Sequence, residues 1–210
     1  LARITFVLIV LSSTTAFAWN DLAPGVEFEQ LKNGAIQVFK INLKKNRLKI
    51  VRASDFGKSS DSVTGLAKGK KALVAINGGF FTQKWRSLGL LISNGKKLNP
   101  LRRADWGVLS ITRNGKATLV HTRKWQRAPN ADFAIQCGPR LVVNGRVLSL
   151  KKQSARRTAI GILPGGRSLI LIVANTPVGL LELAEMLKNR FGCNYAINLD
   201  GGSSTQLWSK

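Results

Sequence analysis

YAINLDGGSSTQLW, residues 195–208, sets an apolar run against one acid, two glycines, two serines and a threonine. Ala196–Leu199 is short and apolar enough to be a buried strand. Asp200-Gly201-Gly202 stops it with residues that turn sharply and leave the backbone open to a ligand. An earlier stretch, LVAINGGFF (73–81), repeats the design with Asn77 in place of the acid, followed by Gly78 and Gly79. Two strands that each end on paired glycines predict two loops that converge on one site, although they are far apart in the chain.

Outward from these stretches the pattern is rich in strands. Asn33-Gly34, Asn94-Gly95, Asn114-Gly115 and Asn144-Gly145 each lie between strand-forming runs, and both residue types tolerate the positive φ that tight hairpin turns need. Strands are expected at Phe28–Leu31, Ala35–Leu43, Arg47–Ala53, Ala72–Ile76, Gly89–Ser93, Gly107–Thr112, Ala117–His121, Phe133–Gln136, Arg140–Val143, Thr158–Leu163, Ser168–Val173 and Ala196–Leu199. One long helix is expected in the C-terminal half, with Thr176 as N-cap and Pro177 in the first turn. Leu180, Leu183, Ala184 and Leu187 form its apolar face, and Gly192 stops it. A shorter helix is expected at Ser62–Lys68. Hairpins with few helices make an α+β fold on a mainly antiparallel sheet.

The first eighteen residues read as a secretory leader: Arg3 precedes the apolar core Ile4–Leu11, and Ala16-Phe17-Ala18 offers small residues at a cleavage site. Ser12-Ser13-Thr14-Thr15 interrupts the apolar run short of the roughly 20 residues a membrane-spanning helix needs. The expectation is an exported chain, periplasmic or secreted, with no stable transmembrane segment after cleavage and a single domain over residues 19–210. In that oxidising setting Cys137 and Cys193 are expected to form a disulfide.

The formal net charge of +23 calls for an anionic partner. The cations are dispersed and are not interleaved with aromatic residues as a base-stacking surface requires, which disfavours nucleic acid. Two cysteines and the single His121 cannot make a four-ligand zinc centre without carboxylates. Phosphate-loop and dinucleotide fingerprints are absent, so no cofactor is called for. A triad would have to use His121. Among only ten acids, Asp200 stands out by its place between a buried-looking strand and paired glycines. It either does chemistry there or caps a turn.

The segments AINGGFF (75–81), QCGPRLVVNG (136–145), RRTAIGI (156–162) and NLDGGSSTQL (198–207), in this order, resemble the phosphodiester glycosidase family. The resemblance implies an α+β domain with a site built from glycine-rich loops, and hydrolysis of a sugar joined through its anomeric carbon to a phosphodiester. It carries over to Asn77, Gly78 and Gly79, to Gly138 and Pro139, to Arg157 and Thr158, and to Asp200, Gly201, Gly202, Ser203 and Ser204. The roles it implies are Asp200 as nucleophile or general base, Arg157 gripping phosphate, and Asn77 and Ser204 bonding sugar or phosphate oxygens, with backbone N–H groups at the glycines forming an anion nest. The partner would be an anionic sugar phosphate or glycan. A non-catalytic exported protein that binds anionic polysaccharide is the alternative.

Overall fold

The computed structural model describes residues 19–125 and 130–210. The leader read in residues 1–18 lies outside the described residues. Among the described residues the chain forms an eight-stranded sheet, a five-stranded sheet and a two-stranded ribbon, all antiparallel. The eight strands run, in spatial order, Asn20–Ala23, Val26–Leu31, Ile36–Asn42, Ser168–Gly179, Ser154–Ile162, Tyr195–Asn198, Arg140–Val143 and Arg146–Val147.

The central strand explains the layering. Its run SLILIVA (168–174) is apolar at nearly every position, as befits a strand buried on both faces. Side chains alternate between faces. Leu169 and Leu171 therefore join one core with Ile160, Ile197, Leu109, Phe133 and Ile135, between the large sheet and the five-stranded one. Ile170, Ile172 and Ala174 join a second core with Ala159, Leu183 and Leu187, under a helix on the opposite face. The five-stranded sheet has the order Lys96–Asn99, Leu91–Ser93, Ala131–Cys137, Gly107–Thr112, Ala117–His121.

All four Asn-Gly pairs lie in turns between antiparallel neighbours. At Asn33-Gly34, Asn94-Gly95 and Asn144-Gly145 both residues have positive φ, whereas at the fourth only Gly115 does. The short helix spans Val63–Gly69, with Ser62 accepting from the Gly65 N–H.

Three expectations need correction. The long helix begins later: Thr176 and Pro177 belong to the strand Ser168–Gly179, and the helix is Leu180–Glu185, continued by a π-helical turn over Met186–Arg190. The reason is a bulge. Arg157 pairs with Ala174 but Ala155 pairs with Val178, so Asn175, Thr176 and Pro177 face a single residue, and proline sits where no ladder bond is needed. Secondly, Arg47–Ala53 is irregular up to a 3-10 turn at Ala53–Phe56. Ile50 bonds there to the Ser93 hydroxyl rather than to the backbone of a neighbouring strand.

The third correction concerns cysteine. Cys137 and Cys193 are free and buried, and they sit in the two different cores separated by the large sheet. Burial pushes both thiols up to about 12. No helix among the described residues is long and apolar enough to cross a membrane.

Candidate functional site

The two glycine loops meet because the strands beside them pair. Val74–Ile76 leads into the first loop, and Leu207–Ser209, which follows the second, lies antiparallel to it with Leu207 opposite Ile76. One residue further on, Asn77 therefore faces Gln206. The Asn77 N–H donates to the Gln206 carbonyl (3.3 Å), and the Gln206 N–H donates to Asn77 Oδ1 (3.2 Å).

The rest of the Asn77 amide ties the loops together. Its Nδ2 donates to the Asp200 carbonyl at 2.8 Å, and its Oδ1 accepts from the Thr158 hydroxyl at 2.6 Å. The Asp200 N–H in turn donates to the Gly78 carbonyl at 3.2 Å. With 9% of its surface exposed, Asn77 is a structural clamp more than a free ligand group.

The other two motifs close around this junction. Asn198 donates from its backbone to the Pro139 carbonyl (2.9 Å) and from Nδ2 to the Gly138 carbonyl (3.3 Å). Gly79 lies against the Gln136 carbonyl and Cys137. A Cβ on Gly201 would come within 2.7 Å of the Arg156 carbonyl, so that loop runs directly over the Arg156-Arg157 backbone. Phe80 and Trp106 pack with ring centroids 5.0 Å apart, and the Trp106 ring lies beside Gly138. All four sequence motifs thus share one neighbourhood.

The charged groups are arranged unevenly. Asp200 is half-buried, its Oδ1 accepts from the Gly201 N–H at 2.9 Å, and it forms no ion pair among the described residues. Arg157 is 7% exposed. Its Nε donates to the Val178 carbonyl (3.2 Å) and its Nη2 to the Gln153 carbonyl (2.7 Å). Burial draws the Arg157 pKa down, although a guanidinium stays protonated in a protein. Two of its N–H groups are thereby used, and along the strand Ser154–Ile162 its side chain alternates with that of Thr158, which bonds Asn77. Gly202–Ser204 forms a 3-10 turn with Ser203 exposed and Ser204 half-buried.

His121 stands apart from the four motifs. Its Nδ1 accepts from the Arg123 N–H at 3.0 Å, which leaves Nε2 as the donor to Asp105 at 2.6 Å. No group of three or more His, Cys, Asp or Glu that could hold a metal ion occurs among the described residues.

Sequence reasoning missed Asn198, Gln206, Phe80 and Trp106. Asn198 carried a readable signal, as a polar residue inside the apolar run AINL whose strand is buried. The role of Gln206 follows from strand register, and the meeting of Phe80 with Trp106 from tertiary packing. Neither is written locally.

A half-buried acid at the end of a core strand, clamped by an amide and lined by glycine backbone, defines a loop-built site on an α+β antiparallel scaffold. Residues 70–210 match the family described as phosphodiester glycosidase, and the chain belongs to that family. The fold is similar to the catalytic domain of zebrafish N-acetylglucosamine-1-phosphodiester alpha-N-acetylglucosaminidase, solved auto-inhibited by its pro-peptide. The TM-score is 0.67 at 19% identity over 87% of this chain and 71% of that one. A hypothetical protein from Synechocystis is similar with TM-score 0.61 at 16% identity, over 94% of this chain and 60% of that chain. In sequence, the uncharacterized protein YigE of Escherichia coli (strain K12) is 25% identical over 140 residues, 61% of this chain. The match spans 55% of that protein's length.

Proposed function

We propose that the chain is an exported hydrolase that cleaves the anomeric C–O bond of a sugar-1-phosphodiester on an envelope glycan or glycoconjugate. Water supplies a hydroxyl to the anomeric carbon and a proton to the medium, and the products are free sugar and a phosphomonoester. The observation that carries this reading is the junction of Asn77, Thr158 and Asp200, which holds one acid among glycines that run over the Arg156-Arg157 backbone.

The chemistry suits a single carboxylate. Ordinary glycosidases use two because an alcohol leaves poorly unless it is protonated. A phosphomonoester, with a second pKa of about 6, leaves as an anion without that help. In this reading Asp200 attacks the anomeric carbon or activates the water that does. Arg157 offers its remaining N–H groups to the phosphate, and Ser203, Ser204 and the N–H groups near Gly78, Gly79, Gly201 and Gly202 bind substrate oxygens.

The test is hydrolysis of a sugar-1-phosphodiester in oxygen-18 water. Breaking the C–O bond leaves the phosphomonoester unlabelled, whereas label in the phosphate would mean P–O cleavage and sink the proposal. Asp200→Asn is expected to lose turnover by two or more orders of magnitude while still binding substrate. The net charge of +23 supports a second reading, an exported protein that holds anionic polysaccharide without cutting it. The absence of turnover on any sugar-1-phosphodiester, with retained polysaccharide binding, would favour it.

A further inference from the structure

Beside the Asn77-Gly78 loop lies a cavity of about 610 Å³ that neither Asp200, Arg157 nor Ser204 lines. Its walls are apolar and come from three layers. Ile160 and Leu171 belong to the large sheet, Phe133 and Ile135 to the five-stranded sheet, and Leu66 and Val74 to the short helix and the ribbon. At one end it reaches Asn77 and Gly78. Its lining also includes four exposed cations, Arg47, Lys49, Lys70 and Lys71, carried by the segments that flank the short helix and the ribbon.

Physical chemistry narrows what this space holds. The volume falls in the range of roughly 300–1,000 Å³ common to small-molecule sites. Water placed against these walls would find few of the polar partners a buried water needs. Val74, Ile76 and Leu48 stay only half-buried although they pack against the core, so apolar surface is left without packed neighbours. The charge at the edge is one-sided. None of the four cations has an ion pair among the described residues, although Lys70 lies 4.7 Å from the Phe56 ring centroid. Asp55, the acid in the lining, is already held by Arg52 at 2.8 Å.

We propose that this cavity binds a single-chain anionic amphiphile. Its apolar tail lies between the sheets and points toward the underside of the Asn77-Gly78 loop, and its carboxylate or phosphate head is held by Arg47, Lys49, Lys70 and Lys71. The tail would thus touch the backbone that holds Asp200 through the Gly78 carbonyl. Binding here is independent of whether the chain hydrolyses sugar phosphates.

The experiment is displacement of a fluorescent dansyl-undecanoate probe from the purified full chain. Dodecanoate and dodecyl phosphate are expected to displace it, each added methylene strengthening binding by about fourfold up to the length of the cavity. The two heads also tell a fatty acid from an alkyl phosphate as the preferred ligand. Dodecanol and dodecyltrimethylammonium should be at least tenfold weaker. The double variant Lys70→Glu, Lys71→Glu, altered only at exposed positions, should weaken dodecanoate by at least tenfold. Leu66→Trp, which narrows the space, should weaken dodecanoate by at least tenfold while the melting temperature holds or rises. Equal affinity for anionic and cationic heads, or unchanged affinity in the charge-reversed variant, would overturn the proposal. So would displacement by a peptide of residues 1–18 that competes better than dodecanoate, which would assign the cavity to the chain's own apolar segment Ile4–Leu11.

Discussion

Asn77 shows how much one amide can hold. Its side chain satisfies the Thr158 hydroxyl, the Gln206 N–H and the Asp200 carbonyl at once, linking three segments distant in sequence. Asn77→Ala leaves these groups without their partner, at roughly 1–3 kcal/mol for each that stays dry. The expected outcome is a melting temperature lower by several degrees and a turnover number that falls more than binding does, because Asp200 loses its fixed position. A variant with wild-type stability and turnover would show that the clamp is idle. The two cysteines make a second residue-scale prediction. With both thiols pushed up to about 12 by burial, a thiol reagent at pH 8 should find none in the native protein and two after denaturation without reductant. Zero in both states would mean a disulfide and contradict the separation of the two cores. The sign of the pH effect also follows: the unfolded thiols ionise near 9 and the folded ones do not, so stability is lost as pH rises above that value.

At the scale of elements, the contact between the helical layer and the large sheet turns on one missing side chain. Gly161 sits in the strand Ser154–Ile162, and a Cβ there would come within 2.3 Å of Cys193 Sγ and 2.9 Å of Leu187 Cδ2. Gly161→Ala therefore overpacks this face and should destabilise by about 1–3 kcal/mol in urea titration. Cys193→Ala removes the nearer atom. The pair should cost clearly less than the sum of the two single changes, and strict additivity would show that the contact is not the cause. Much of this layer could be read in advance, since Leu180, Leu183, Ala184 and Leu187 have helical spacing and SLILIVA has the composition of a strand buried on both faces. The helix start could not. Thr176-Pro177 is a good local start signal, and only the pairing of Ala155 with Val178 shows that the chain is still a strand there. The same holds for the site. Asp200 and the glycines were legible from the break in an apolar run, whereas the clamp by Asn77 depends on the register of Ile76 against Leu207. For cysteine, composition and compartment pointed to a bond that the large sheet, lying between the two cores, keeps from forming.

Across the whole molecule the charge is lopsided and the acids are mostly spent on local pairs. Glu27, Glu29, Asp55, Asp61, Asp105 and Glu182 each lie within ion-pair distance of a basic side chain. Asp200 has no such partner among the described residues, so in the proposed hydrolysis it would meet the substrate as an unpaired negative group inside the field of a chain with net charge +23. For an anionic phosphodiester the long-range field attracts and the local carboxylate repels, and distance decides between them. The summed positive charge acts over the Debye length, about 30 Å at 0.01 M salt and 10 Å at 0.1 M, while repulsion from one group matters only once the substrate is docked. Encounter should therefore be salt-sensitive and chemistry should not. Raising sodium chloride from about 10 mM to 300 mM is expected to lower kcat/KM for a sugar-1-phosphodiester by roughly tenfold, at the modest end of electrostatic steering. Turnover at saturating substrate should change little, because once substrate is docked the charges act over distances shorter than the Debye length. Stopped-flow or initial-rate measurements across that range check it. A kcat/KM that is flat in salt would mean that the cations serve a different surface of the protein, and that substrate reaches Asp200 by short-range contacts alone.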